Sequence, residues 1–342
     1  MAMKSPGTRR ALVFAGTAGL ALLFPLLLPP YPLIILCYAL VFSIACLGLN
    51  LLLGTTGLLS FGHAAYFGVG AYAGAFLYRF SGVSSFEVYL LAGIFFSTVL
   101  AAVIGFLCVR ATKIHFAILT LAFAMVVHSL FIDGAIFRLF GPLGWALYLV
   151  GGGGLYIPRL TLLGTEFTPA QFIPVFYYVI VVAFFGSAIL LWRISRSPFG
   201  KALRAIRDND TRAAFIGIPV RRYRWYAFIL SGIFTGLAGG LYGQLSRQIT
   251  PEQLHWLFSA QLVLATVLGG THQFLGPVVG AFAFVALEDI SVRFTLYRGL
   301  ILGCMLIAVV LALPGGLAGA VVLFLNKIRT RGDPKPDATE SR

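Results

Sequence analysis

Charge is scarce in this chain. Only 11% of its 342 residues are Asp, Glu, Lys or Arg, against 59% hydrophobic, and the mean hydropathy is +0.94. A soluble globular domain cannot carry that balance, because too little polar surface is left to face water. The four cysteines, Cys37, Cys46, Cys108 and Cys304, lie inside apolar runs without metal-ligand spacing. They read as small packing residues and say little about redox compartment. No phosphate-cradling GxxxxGK[ST] loop, GxSxG elbow, HExxH or Cys/His metal set occurs, so no catalytic constellation or cofactor is expected. A membrane enzyme loses its footing, and energy from ATP, if used, has to arrive on another chain. No carboxylate stands alone in mid-span as a proton relay would; Glu288 is the nearest candidate.

What the chain has instead is apolar runs of about 20 residues from end to end, the length of a bilayer-spanning helix. The expected fold class is all-α: a polytopic helical membrane protein of about ten transmembrane helices with Gly-interrupted segments. The spans read as 11–28 (an uncleaved first span behind a short basic leader), 33–53, 58–78, 88–109, 114–137, 172–194, 225–245, 257–275, 278–294 and 300–313. A single transmembrane domain over 1–326 and a polar tail over 327–342, expected to be disordered, complete the organisation. Basic residues cluster in the leader, at Arg110 and Lys113, between Arg193 and Arg224, and in the tail. Placing these on one face gives that face the whole net charge of +14, with zero left for the other, as the positive-inside rule requires. Both termini are then cytoplasmic, and the basic excess calls for no nucleic acid. Asp289 and Arg293, four apart, suit an ion pair. The outer loop 141–171, with Gly151–Gly154, either wraps a ligand or partner or forms a flexible cap.

One long polar, helix-capable stretch stands out, 195–224. Ser197 followed by Pro198 starts a helix: a capping hydroxyl, then proline where its missing N–H costs nothing. Phe199, Leu203 and Ile206 share one face; Lys201, Arg204 and Arg207 share another. Asp210 or Thr211 is expected to cap a second short helix, with Gly217 at its left-handed stop and Pro219 blocking continuation. Two short helices at an angle suit a docking surface for a soluble partner. Ala213 and Ala214 allow close approach, Phe215 and Ile216 anchor, and Arg204, Arg207 and Arg212 supply rim charge. A basic loop that only enforces topology is the alternative.

The stretch LGLNLLLGTTGLLSFGHAAYFGVGAYAGA packs glycines around polar Asn50, Thr55, Thr56, Ser60 and His63 at membrane depth. Small residues permit close helix packing, and broken helices are tolerated where they line a cavity or are buried in protein. A looser echo appears at VLGGTHQFLGPVVGAF, 267–282. The expected translocation path runs past Asn50, Gly54, Gly57, Gly62, His63, Thr120, Gly269 and Gly270. His115, His128, Asp133 and His272 are further ionisable groups near spans.

These two stretches, with HFAILTLAFA and SPFGKALRAIRDNDTRAAFIGI, resemble in order the permease subunits of branched-chain amino-acid ATP-binding-cassette importers, the LivM-type member. The resemblance runs from about Leu47 to Pro314. It implies a permease subunit rather than an enzyme, in the prokaryotic inner membrane. It also implies a second, LivH-type permease, two cytoplasmic LivG/LivF-type ATPases and a periplasmic solute-binding protein. The cargo would be a branched-chain or related small amino acid. It implies that Ala205, Asn209, Asp210, Ala213, Ala214 and Gly217 belong to the ATPase-facing loop, and that Gly269, Gly270, Gly276 and Pro277 form the late glycine motif. Where the family often carries polar groups, this chain has His115, Met125 and the run Gly151–Gly154. Importers of urea, short amides or aromatic carboxylates are an alternative in the same class, and an ion-coupled carrier working alone is a third reading.

Overall fold

Apolar surroundings leave a backbone no water to bond, so the apolar runs close their hydrogen bonds internally as helices. The computed structural model describes residues 24–25, 27–111, 113–134, 138–139, 141, 154–162, 164–294, 298–312 and 315–319. In order, the elements are α1 (Pro30–Asn50), which runs on into a π-helical turn (Leu51–Thr56), α2 (His63–Ser81), α3 (Phe86–Cys108) and α4 (Lys113–Ile132). Then come β1 (Leu155–Tyr156), α5 (Pro169–Arg196), α6 (Pro198–Asp208), α7 (Asp210–Phe215) and α8 (Val220–Ser246). β2 (Gln248–Ile249), a 3-10 turn (Pro251–Leu254), α9 (Trp256–Gly269), α10 (Gly276–Phe294) and α11 (Arg298–Ala312) complete the set.

Every expected span from the second onward coincides with a helix, while the first falls almost wholly outside the described residues. Among the described residues, five helices are long and apolar enough to cross a membrane: Pro30–Thr56, Phe86–Cys108, Ile114–Ile132, Gln171–Arg196 and Val220–Ser246. The count of ten is therefore not reproduced; α9, with 14 residues, is short for a full crossing. The third expected span starts at His63 rather than Leu58, because Gly57 takes a left-handed conformation (φ 75°) and ends the preceding helix.

Helix α8 is the central element and packs against α1, α2 and α3, while α9 and α10 close around α1. The approach of α2, α3 and α8 is backbone to backbone. A Cβ on Gly70 would fall on the backbone of Gly236, and one on Gly93 on the carbonyl of Gly70. Glycine at all three lets the axes meet, as small residues do in membrane helix packing. Away from this seam, α3 turns Leu91, Phe95, Phe96, Val99, Val103 and Phe106 outward, a face that belongs in lipid or against another membrane subunit.

One end of the bundle gathers Ser85 against Thr161, the pair β1–β2 with Leu155 opposite Ile249, and Tyr31 donating to Asp289. Asp289 also pairs with Arg293 at 3.0 Å, as its spacing predicts. Within the outer loop, 154–162 buries Leu155, Ile157, Leu160 and Leu162 and is packed down, while Gly151–Gly153 lie outside the described residues. The opposite end holds the polar stretch and both glycine breaks. Helix α11 is described as far as Ala312, and 313–314 lie outside the described residues. The tail from 327 lies outside the described residues.

Candidate functional site

The polar stretch folds as two helices. Ser197 Oγ accepts from Gly200 N at 3.3 Å and Pro198 opens α6. Leu203 and Ile206 are buried, and Phe199 stacks on Tyr223 with centroids 5.4 Å apart. The cap of α7 is Asn209, not Asp210 or Thr211: its side-chain oxygen accepts from Arg212 N at 2.8 Å. Asp210 is used elsewhere. Its carboxylate meets Arg224, a buried guanidinium at the start of α8, at 3.1 Å. That donated hydrogen bond holds the Asp210 carboxyl below its ordinary value. Gly217 has the left-handed conformation expected of it, φ 89°.

The outward face of the pair differs from the expected one in two respects. Ala213 turns inward and is 2% exposed, so it packs within this chain. A six-residue helix defines no face by periodicity, and the buried side of α7 went to Ala213. Ala214 stays outside, beside Phe215 at 87% exposure and Ile216 at 70%. Arg204 and Arg207 are not free rim charges: Arg204 donates to Ser195 O at 2.9 Å, and Arg207 reaches the glycine breaks.

The first break begins at the π-helical turn. Its extra residue per turn frees backbone carbonyls near Gly54, and Arg207 Nη1 donates to one, Gly54 O. Gly57 lies directly under the Arg207 stem, where a Cβ would sit 3.0 Å from Cγ. The second break spans 270–275 between α9 and α10. It meets the first: a Cβ added to Gly54 would collide with Asn50 and with the carbonyl of Thr271. Arg207 Nη2 lies 3.1 Å from His272 Nε2. Gly269 and Gly270 sit against Gly276, Gly280 and the Gly315–Gly316 backbone. Thus Asn50, Gly54, Gly57, Gly270 and the Thr271–His272 turn form one cluster at the end occupied by α6. Asn50 Oδ1 is buried there without a hydrogen-bond partner.

Gly62, His63 and Thr120 form a neighbouring group. Thr120 Oγ1 accepts from Phe61 N at 3.2 Å and donates to Ala117 O at 2.9 Å. His63 is fully buried, with Nε2 2.6 Å from Ser231 Oγ and Nδ1 3.2 Å from Ser60 Oγ; Ser231 in turn donates to Gly48 O. His63 therefore braces the start of α2 against α8 and α1. Beside this group, Gly57, Leu59 and Phe61 face Ile114, Ala117 and Ile118 across an open cleft of about 400 Å³. The cleft is mostly apolar, with no charged side chain in its lining.

Three residues escaped the sequence reading. Tyr66, fully buried with an unpartnered hydroxyl, packs on His63 with ring centroids 5.7 Å apart. His255 meets His128 at 4.8 Å between centroids at the far end of the bundle. Tyr31 joins the Asp289–Arg293 pair. The partners of His255 and Tyr31 lie far away in sequence, and the Tyr66 and His63 rings, three residues apart, carry no pattern that marks them.

A bundle of apolar helices with paired glycine breaks, a cleft beside one of them and a capped two-helix loop at the same end defines a membrane transport subunit. The chain belongs to the family of branched-chain amino acid transport system permease components, whose model matches residues 31–310. It is 26% identical over 320 residues to the high-affinity branched-chain amino acid transport system permease protein LivM of Escherichia coli (strain K12), covering 87% of this chain and 72% of that one. It is 25% identical over 294 residues to the probable branched-chain amino acid transport permease protein LivH of Methanocaldococcus jannaschii, covering 82% of this chain and 90% of that one. A shorter match, 33% identical over 160 residues, is to the autoinducer 2 import system permease protein LsrC of Klebsiella pneumoniae, covering 43% of this chain and 46% of that one. No solved structure matches the chain. It is a multi-pass membrane permease subunit, not itself an enzyme, and works with other components of an ATP-binding-cassette system.

Proposed function

We propose that this chain is one of two membrane-spanning permeases of an importer for a branched-chain or chemically related small amino acid. Its partners would be a LivH-type permease, two cytoplasmic LivG/LivF-type ATPases and a periplasmic solute-binding protein. The α6–α7 pair is the ATPase-docking element, and the end carrying it faces the cytoplasm with both termini. The path runs along the apolar cleft beside Gly57, Leu59 and Phe61, at the junction with the second permease.

The observation that carries this reading is the exposure of Phe215 and Ile216 on a capped helix pair beside both glycine breaks. Large apolar side chains so exposed outside the lipid-facing belt favour a helix-in-groove partner. The mostly apolar cleft suits an aliphatic side chain. The test is ATP-driven uptake by vesicles holding the four membrane components and the binding protein, with labelled leucine, isoleucine and valine set against urea, acetamide and benzoate. Uptake of the amino acids that stops without ATP is the expected result. Uptake by this chain alone, driven by an ion gradient, would refute the reading.

A further inference from the structure

Arg207 is the one described side chain of α6 or α7 that hydrogen-bonds to a glycine break, and it reaches both. Its partners are 153 residues away at Gly54 and 65 away at His272. The two breaks also touch each other, with Gly54 against the Thr271 carbonyl. The guanidinium is suited to this: a planar fork offers two N–H donors in fixed directions, where an ammonium offers one compact charge. One arm caps carbonyls at the end of the π-helical turn, the negative pole of the α1 run. The other finds His272 Nε2, which has to be the unprotonated ring nitrogen, since arginine only donates. The stem crosses Gly57, whose left-handed conformation and missing Cβ leave room for it. Arg204 meanwhile fixes α6 to the end of α5 through Ser195 O.

We propose that Arg207 is the positioning residue through which movement of α6–α7 is passed to both glycine breaks at once. This rests on the proposed docking role of the pair. When an ATPase displaces α6, a rigid fork tied to the Gly54 carbonyl and to His272 moves the two breaks together. Without it, the loop still binds the ATPase through Phe215 and Ile216, but the displacement stops at α6. Coupling between sites in proteins is commonly worth about 5- to 150-fold in an equilibrium, so its loss is readable in uptake.

The experiment uses the assembled transporter in vesicles with labelled leucine. A wild-type complex without ATP-driven uptake would count against the proposed function itself. With an active wild type, Arg207→Ala is expected to keep the ATPase bound and lower uptake per ATP hydrolysed by about tenfold or more. Arg207→Lys keeps the charge but cannot bridge both partners, and should recover little. Arg79→Ala removes an exposed charge at the opposite end of the bundle and should leave uptake unchanged. His272→Gln keeps an acceptor and should retain most activity, whereas His272→Leu should fall toward Arg207→Ala. Combining His272→Leu with Arg207→Ala should add no further loss. Uptake per ATP within twofold of wild type in Arg207→Ala would overturn the inference. So would losses that simply multiply in the double variant, or an Arg207→Ala complex that has lost its ATPase. If Arg207→Ala fails to accumulate, the contrast between His272→Gln and His272→Leu decides the question: equal uptake by the two refutes the link.

Discussion

Phe215 and Ile216 give the most direct test of how this subunit meets its motor. Both are on the α7 side of the loop, 87% and 70% exposed, so almost all their apolar surface is still to be buried. Covering a Phe or Ile side chain fully is worth about 1.5–3 kcal/mol. Phe215→Ala should therefore weaken ATPase binding by roughly tenfold to a hundredfold at 1.4 kcal/mol per decade. Ile216→Ala should cost somewhat less, because less of it is presented. Ala213→Glu provides the contrast. Ala213 is buried inside this chain, so a carboxylate there has to be desolvated within the subunit at a cost of several kcal/mol. That variant should lower the melting temperature of the isolated subunit, whereas Phe215→Ala should leave it unchanged. The assay is titration of the ATPase against the subunit in lipid discs, alongside thermal melts of the subunit alone. Unchanged affinity in the Phe215→Ala, Ile216→Ala double variant would refute docking through this face.

Three further outcomes are expected. The Asp210 carboxyl is held below its ordinary value of 3.8 by Arg224, so the pair's stabilisation is present above that value and is lost as pH falls through the lower folded value. Asp210 is 45% exposed in its side chain, so Asp210→Asn should cost about 1 kcal/mol at neutral pH, and melts of variant and wild type should converge in acid. His63→Ala removes a buried ring bonded at both nitrogens and should cost about 2–4 kcal/mol in the melt; an unchanged melting temperature would show that the brace is not needed. Gly57→Asn tolerates the left-handed conformation better than Gly57→Val, so uptake should fall far more in Gly57→Val while ATPase co-purification persists in both.

Signals carried by a few consecutive residues were legible in the sequence. Ser197-Pro198 announces α6, Gly217 the left-handed stop after α7, and Asp289–Arg293 an ion pair one helical turn long. The glycine density around 48–74 likewise announces a break, although not where it starts. What stayed hidden depends on partners remote in the chain. The helical wheel puts Arg207 with Lys201 and Arg204 on an outer rim, and nothing local says that a carbonyl 153 residues earlier will lie beneath it. Asp210 looks like a cap until Arg224 arrives across the turn and Asn209 takes the capping role. Ala213 and Ala214 are indistinguishable by composition, yet one is buried and the other exposed. His63 reads equally as a path residue or a core residue until Ser60 and Ser231 close on its two nitrogens.

The start of α8 shows why Asp210 is committed to Arg224 rather than to a cap. The helix opens VRRYR, placing Arg221, Arg222 and Arg224 at the positive pole of its dipole, where local helix electrostatics disfavours cations by some 0.3–1 kcal/mol each at exposed sites. The proposed orientation asks for the opposite, since basic residues flanking a span favour the cytoplasmic side for that end. Arg221 and Arg222 remain exposed and keep their hydration. Arg224 is 7% exposed and has no such relief, and its Nε is left without a hydrogen-bond partner. A carboxylate in reach is the one local feature that offsets both the dipole and the burial. Asp210 supplies it because Asn209, rather than Asp210, caps α7. Exchanging the two, as Asn209→Asp with Asp210→Asn, keeps composition and net charge but moves the carboxylate to the cap. If this account of the α8 start is right, the exchange destabilises the loop even though aspartate caps a helix as well as asparagine does.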